Sequence, residues 1–151
     1  MIKVLFICHG NICRSPMAEF IMRELLRQHG LEASYEVASA ATSTEEIGRP
    51  VYPPAQQELR KHGIDASGKR ARQLTSADYA AYDYLFGMDE TNIRQMQRIC
   101  GGDPEGKISR LLDDAPVPRD IADPWYTDDF SKAWQDILEG CQLLLARLEN
   151  E

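Results

Sequence analysis

Ile2-Lys3-Val4-Leu5-Phe6-Ile7-Cys8-His9-Gly10-Asn11-Ile12-Cys13-Arg14-Ser15-Pro16-Met17 is the stretch on which the reading of the whole chain turns. Ile2 to Cys8 is a near-continuous apolar run, the pattern of a strand covered on both faces. Ser15-Pro16 then predicts a helix start, with the hydroxyl as cap and proline in the first turn. Behind it Met17, Ile21 and Leu25 lie four apart, Ala18, Met22 and Leu26 form the adjacent row, and Gly30 marks the stop. A strand feeding a helix calls for a parallel return strand. Tyr35 to Ser39 stands where a right-handed crossover delivers one.

The same alternation continues outward. Pro53 to His62 reads as a short helix ended by Gly63, and Tyr84 to Met88 as a third strand. A helix from about Asp89 to Cys100 stops at Gly101-Gly102, and Lys107 to Leu111 is a weaker fourth strand. A proline-broken loop, Asp113 to Asp123, leads to the last helix. There Trp134, Ile137, Leu138, Cys141, Leu145 and Leu148 form a stripe of helical period, which is a core signature. The order β-α-β-α-β-α-β-α predicts an α/β domain with an open parallel sheet and helices on both faces. Ligands in that architecture sit beyond the carboxyl ends of the strands.

With 151 residues the chain is sized for one domain, taken as 1–151, with no internal repeat to divide it. Hydrophobic content of 43% beside 27% charged residues is globular composition. The longest apolar runs, Val4 to Cys8 and Leu143 to Ala146, are too short to cross a bilayer. No basic-then-apolar leader opens the chain, so the expectation is a soluble, cytoplasmic protein with no membrane partner. A net charge of −7, from 17 basic and 24 acidic residues, argues against a nucleic-acid partner. It leaves room for a small anion, because clustered backbone N–H groups overrule net charge at short range. Cysteines 8, 13, 100 and 141 make no dense disulfide framework, so reduced thiols are expected.

Cys8 to Ser15 falls where the architecture puts a ligand. A cysteine, five residues, then arginine and serine, set between a strand and a helix, have a chemical logic. Bent back on itself, the loop turns several N–H groups inward as an anion nest at a helix N-terminus. Gly10 permits backbone conformations closed to other residues, and Asn11 tolerates the left-handed region. Arg14 holds two oxygens of a phosphoryl group with its planar fork. A cysteine in that positive field is placed as activated thiols are, and a thiolate facing a bound phosphate is a nucleophile aimed at phosphorus. Three other readings compete. Cys8 taken alone reads as a small core hydrophobe. A zinc site from Cys8, His9 and Cys13 lacks a second ligand pair. A nucleotide P-loop would need Gly-Lys-Ser/Thr.

Cys8-His9-Gly10-Asn11-Ile12-Cys13-Arg14-Ser15-Pro16-Met17-Ala18-Glu19 resembles the signature loop of the low-molecular-weight protein tyrosine phosphatases. The resemblance extends through Ser39-Ala40-Ala41-Thr42-Ser43, Glu46-Ile47-Gly48, Lys61-His62-Gly63-Ile64, Ala71-Arg72-Gln73-Leu74, Met88-Asp89-Glu90-Thr91-Asn92 and Asp123-Pro124-Trp125-Tyr126. It implies a single-domain, flavodoxin-like three-layer fold with a four-stranded parallel sheet. It further implies hydrolysis of phosphotyrosine and aryl phosphates through a cysteinyl-phosphate, without metal or organic cofactor. Phosphotyrosine-containing proteins would be the substrates, inorganic phosphate the product, and the chain a monomer or weak homodimer.

By the same resemblance Cys8 is the nucleophile and Arg14 the phosphate clamp. Asp123 is the proton donor to the leaving oxygen and later the base for water. Among neighbouring carboxylates, Asp120 is the nearest alternative. His9, Gly10, Asn11, Ile12 and Cys13 line the phosphate loop, and Trp125 and Tyr126 wall a slot for an aromatic leaving group. Ser15 resembles the hydroxyl that stabilises the Cys8 thiolate. Asn11 and Ser39 resemble partners in a hydrogen-bond brace, and Cys13 the vicinal cysteine that forms a protective disulfide with Cys8. Two places depart from the pattern. Ser67-Gly68-Lys69-Arg70 stands where members often carry a histidine of that brace, and Glu45 stands where an aromatic often precedes Glu46. The latter weakens stacking and disfavours acidic peptides.

Rivals come from three directions. A thiol-dependent arsenate reductase uses a similar loop but needs a downstream redox pair, and Cys100 and Cys141 stand far apart. A phosphocarrier module would accept phosphate on cysteine without needing Asp123. A phosphoarginine phosphatase of the same family typically carries threonine where this chain has Ile12. The larger Ile12 predicts preference for a flat phenol.

Overall fold

At the centre of the computed structural model, which describes residues 1–150, β1 (Ile2–Cys8) pairs in parallel with β2 (Tyr35–Ala41) on one side and β3 (Tyr84–Gly87) on the other. β4 (Ile108–Arg110) adds to β3, so the order is β2-β1-β3-β4. Val4, Leu5, Phe6 and Ile7 are each 0% exposed, which is why the run carries no polar alternation. Side chains alternate between faces. Val4, Phe6 and Cys8 join one core with α1 (Arg14–Gln28), α2 (Pro53–Lys61) and α6 (Phe130–Glu149). Leu5 and Ile7 enter a second core with Tyr79 of α3 (Ser76–Ala81) and Met96 of α4 (Glu90–Cys100). A short helix, α5 (Pro124–Thr127), precedes α6. The result is the single α/β domain with helices on both faces that the alternation predicts.

Where the structure departs from the sequence reading, the reasons are local. β2 runs on through Ala40 and Ala41 because it pairs with β1 along its whole length, Ile2 with Tyr35 through to Cys8 with Ala41. Its small residues carry little strand propensity of their own, so the partner strand decides. The glycine stops hold: Gly30, Gly63 and Gly101 take φ of 67°, 76° and 79° just past their helices. Ser15, expected as a helix cap, is not one. Cys13 occupies that place, the helix begins at Arg14, and the Ser15 hydroxyl is spent on the loop instead. α3 stands outside the expected elements. Its signal is Thr75 three residues before Asp78: the Thr75 N–H and hydroxyl both donate to the Asp78 carboxylate, and Asp78 N–H donates back to Thr75 O. In α6 the expected stripe is buried except for half-buried Leu138, and it packs against α1. No helix among the described residues is long and apolar enough to cross a membrane.

Candidate active site

The carboxyl end of β1 delivers Cys8, 3% exposed, to the base of a cleft. The loop from His9 to Cys13 then turns under Asn11, which sits at φ 57° in the left-handed region. That conformation strains most L-residues by roughly 1–2 kcal/mol, and asparagine tolerates it best. Gly10, expected for its backbone freedom, has no positive φ. Its requirement is space, since a Cβ there would stand 3.3 Å from Glu46 Cγ. Among the described residues, no backbone N–H of residues 10–14 donates to a protein acceptor. These buried donors, followed by the first turn of α1, form a place for an anion. The loop is anchored from outside: Thr42 N–H donates to Cys8 O, Ser43 N–H and hydroxyl to His9 O, and Tyr52 N–H to Ile12 O.

Ser15 Oγ lies 3.0 Å from Cys8 Sγ, and Ser15 N–H donates to the same sulfur at 3.4 Å. The first turn of α1 therefore addresses the sulfur with both a hydroxyl and an amide. Cys13 is also buried and lines the same cleft. Burial, then the neighbouring Cys8 and Asp123, push its thiol far up, so Cys13 stays protonated where Cys8 faces the donors. All four cysteines are free. Cys141 belongs to the core beneath α6 and Cys100 to the core on the other face of the sheet, so the two cannot form the redox pair of a reductase.

Arg14 is 2% exposed and held along one edge of its guanidinium. Its Nη1 donates to Asp89 Oδ2 at 2.7 Å and to Ile121 O at 2.8 Å, and its Nη2 reaches Asp123 Oδ2 at 3.4 Å. Burial works against the charge, but Cys8, Asp123 and Asp89 outweigh it and hold the guanidinium above its ordinary range. Asp89 is a site residue that the motifs do not mark. It does two jobs, for its other oxygen accepts Asn92 N–H and caps α4. The signal for it was Asp at a helix start immediately after a strand that ends beside the loop. Ile121 explains how Asp123 arrives: its N–H is bonded to Met88 O and its carbonyl to Arg14, which pins the proline-broken loop over the cleft. Asp120, the alternative carboxylate, stands outside the cleft, where it accepts from Glu90 N–H and Arg110.

Behind the loop Asn11 Nδ2 donates to Ser15 Oγ at 2.8 Å and to Ser39 Oγ at 2.9 Å. Its Oδ1 accepts Arg72 N–H, which fixes which way the amide faces. Ser39 in turn donates to buried Glu19 at 2.6 Å. At the rim His9 and Glu45 meet at 3.1 Å, so the place of an expected aromatic is taken by a polar contact. On the other side Asp123 Oδ1 accepts Trp125 N–H at 3.0 Å, and Trp125 leans on Tyr52 with ring centroids 4.8 Å apart. Trp125 is 51% and Tyr126 83% exposed, and both line the cleft with Ile12. The site residues expected from sequence line one cleft, except Asn11, Ser15 and Ser39, which stand behind the loop.

The chain matches the family model described as low molecular weight phosphotyrosine protein phosphatase over residues 3–151. It is 42% identical to the low molecular weight protein-tyrosine-phosphatase YfkJ of Bacillus subtilis, with 100% of this chain and 98% of that one covered. The crystal structure of YfkJ superposes with a TM-score of 0.94 over 99% of this chain and 96% of that one. The mouse low molecular weight phosphotyrosine protein phosphatase is 38% identical, covering 96% of this chain and 94% of its own. The Drosophila arginine phosphatase is 30% identical with a TM-score of 0.90, covering 97% of this chain and 98% of that one.

Proposed function

The chain belongs to the low molecular weight phosphotyrosine protein phosphatases, and from that membership we propose how its own residues carry the reaction. It is a hydrolase of phosphotyrosine in proteins that works through a cysteinyl-phosphate. Cys8 Sγ, as thiolate, attacks phosphorus while the bond to the phenolic oxygen breaks, and Asp123 gives that oxygen its proton. The free N–H groups of the loop and the Arg14 fork hold the three non-bridging oxygens as charge builds on them. Asp123, now a carboxylate, takes a proton from the water that attacks the cysteinyl-phosphate. Inorganic phosphate leaves, and the Ser15 hydroxyl and amide receive the thiolate that is released.

The observation that carries this reading is convergence. The end of β1, the first turn of α1 and a loop 109 residues beyond Arg14 bring sulfur, guanidinium and carboxylate to one cleft, with Ser15 Oγ 3.0 Å from the sulfur. Ile12, Trp125 and Tyr126 form the apolar walls for a phenol. Cys13 is the reserve thiol that traps an oxidised Cys8 as a disulfide. The reaction uses no metal or organic cofactor. Residues 1–151 act as one cytoplasmic phosphatase domain, monomeric or weakly dimeric, with no nucleic-acid or membrane partner.

Cys8→Ser tests the core of it. Turnover of p-nitrophenyl phosphate is expected to vanish while inorganic phosphate still binds, because the backbone donors remain. Residual turnover above background would assign the nucleophile elsewhere.

A further inference from the structure

We propose that Tyr52 is a positioning residue for the slot wall. Its ring is the post that holds Trp125 beside the cleft, and so it sets how tightly an aromatic leaving group is gripped. The proposal rests on Trp125 walling that slot. Trp125 belongs to α5, a turn of four residues that is too short to keep its own shape. It is half exposed and stands as a partition between two hollows. On one flank it lines the cleft with Cys8, and on the other a second hollow with Arg49, Pro50 and Pro53. A ring with open space on both flanks swings unless a neighbour stops it. Tyr52 is that neighbour, with ring centroids 4.8 Å apart and planes inclined at 51°.

Tyr52 is itself fixed from several directions. Its N–H donates to Ile12 O at 2.9 Å, which ties it to the phosphate loop, and its carbonyl accepts Gln56 N–H at 3.0 Å in the first turn of α2. Pro53 follows it and confines its backbone to extended conformations, where it sits at φ −55° and ψ 132°. Beside its ring lies Phe130 with centroids 6.0 Å apart, 8% exposed at the start of α6. A ladder of rings, Phe130–Tyr52–Trp125, thus runs from the core to the wall.

The consequence follows from side-chain entropy. Without the Tyr52 ring the indole is released between two hollows, and an aryl ligand must order it again on binding. The phosphate nest does not share that cost, because its donors are backbone N–H groups and the Arg14 guanidinium. Tyr52→Ala keeps both backbone bonds of residue 52, so the phosphate loop retains its anchor at Ile12. The loss therefore falls on the aromatic part of a ligand and spares the phosphoryl part.

Benzylphosphonate and inorganic phosphate, each as a competitive inhibitor of p-nitrophenyl phosphate turnover, separate the two parts. Benzylphosphonate carries the ring and cannot be hydrolysed, so it reads binding without passing through Asp123. In Tyr52→Ala its inhibition constant is expected to rise about three- to tenfold, the cost of ordering one released side chain, while that of phosphate moves by less than about twofold. Trp125→Ala is expected to lose at least as much. Tyr52→Phe, which keeps the ladder, is expected to hold the parent ratio of the two constants. Tyr52→Ala is expected to add nothing once Trp125 is alanine. Should Tyr52→Ala melt too early to assay, Tyr52→Leu carries the same expectation, since it packs on Phe130 but offers the indole no flat face. A parent ratio in Tyr52→Ala, or a loss that persists in full in the Trp125→Ala protein, would overturn the proposal. A parent ratio in Trp125→Ala would instead overturn the reading of the slot, so the two failures are separable.

Discussion

Asp89→Asn separates the two jobs of the carboxylate that holds Arg14. Oδ1 caps α4 through Asn92 N–H at 2.8 Å, and an asparagine oxygen retains that bond. Oδ2 accepts Arg14 Nη1 at 2.7 Å, and the substitution replaces this charged acceptor with an amide NH2 that repels the guanidinium. The pair is well shielded, with side chains 3% and 22% exposed, so solvent screens it little. A hydrogen bond between charged groups contributes about 1.5–3 kcal/mol. Arg14 keeps Ile121 O at 2.8 Å, so the side chain stays in the site but loses one of the bonds that orient its fork. If that orientation matters mainly in the transition state, kcat/KM falls by about 10- to 100-fold. Inhibition by inorganic phosphate changes by less than about threefold, because the positive charge itself is no longer partly neutralised by Asp89. Steady-state kinetics on an aryl phosphate, phosphate inhibition and a thermal melt measure all three. Asp89→Ala removes the cap as well and is expected to cost about 1 kcal/mol more in stability. The reasoning is refuted if Asp89→Asn keeps kcat/KM within twofold of the parent while Asp89→Ala melts earlier, for then Asp89 is a helix cap and nothing more.

Asp123→Asn is expected to lower turnover by about 10²- to 10⁴-fold on a poor leaving group and much less on a good one, because the lost proton matters most where the oxygen is basic. It should also remove the fall in activity toward high pH that an ionising acid imposes, and equal losses across leaving groups would move the acid elsewhere. Ile12 lines the cleft, and its bulk is expected to disfavour a guanidinium, so phosphotyrosine is expected to be preferred over phosphoarginine by at least about tenfold, on the order of 1.4 kcal/mol. Ile12→Thr should narrow that gap, and equal kcat/KM on both substrates in the parent would sink the argument. Exposed Glu45 at the rim should favour phosphotyrosine peptides with basic neighbours, and Glu45→Lys should reverse the preference in a salt-sensitive way; indifference of the parent to peptide charge would remove the rim from specificity.

Sequence alone determined the sheet and pointed to the groups proposed to react, because both are written in local patterns. A run such as Val4 to Ile7 is apolar at every position only if both faces are covered, and a Cys–x5–Arg-Ser loop between a strand and a helix has few other uses. Glycines past helix ends and the stripe on α6 are equally local, set by backbone freedom and by the 3.6-residue period. Asp89 and Glu19 were not legible in the same way, because what each accepts from, Arg14 in one case and Ser39 in the other, lies far from it in the chain. Their roles exist only because parallel pairing lays β2 and β3 on either side of β1, so that Ser39 meets Asn11 and Asp89 meets Arg14 from 28 and 75 residues away. Local pattern alone reads Ser15 as a cap for the reverse reason: its nearest chemistry in sequence is the helix it opens, while in space its hydroxyl meets the Asn11 amide at 2.8 Å and the Cys8 sulfur at 3.0 Å. Hydrogen-bond direction and charge compensation depend on distance, which the chain acquires only by folding, whereas periodicity and backbone preference belong to each segment before it has met another.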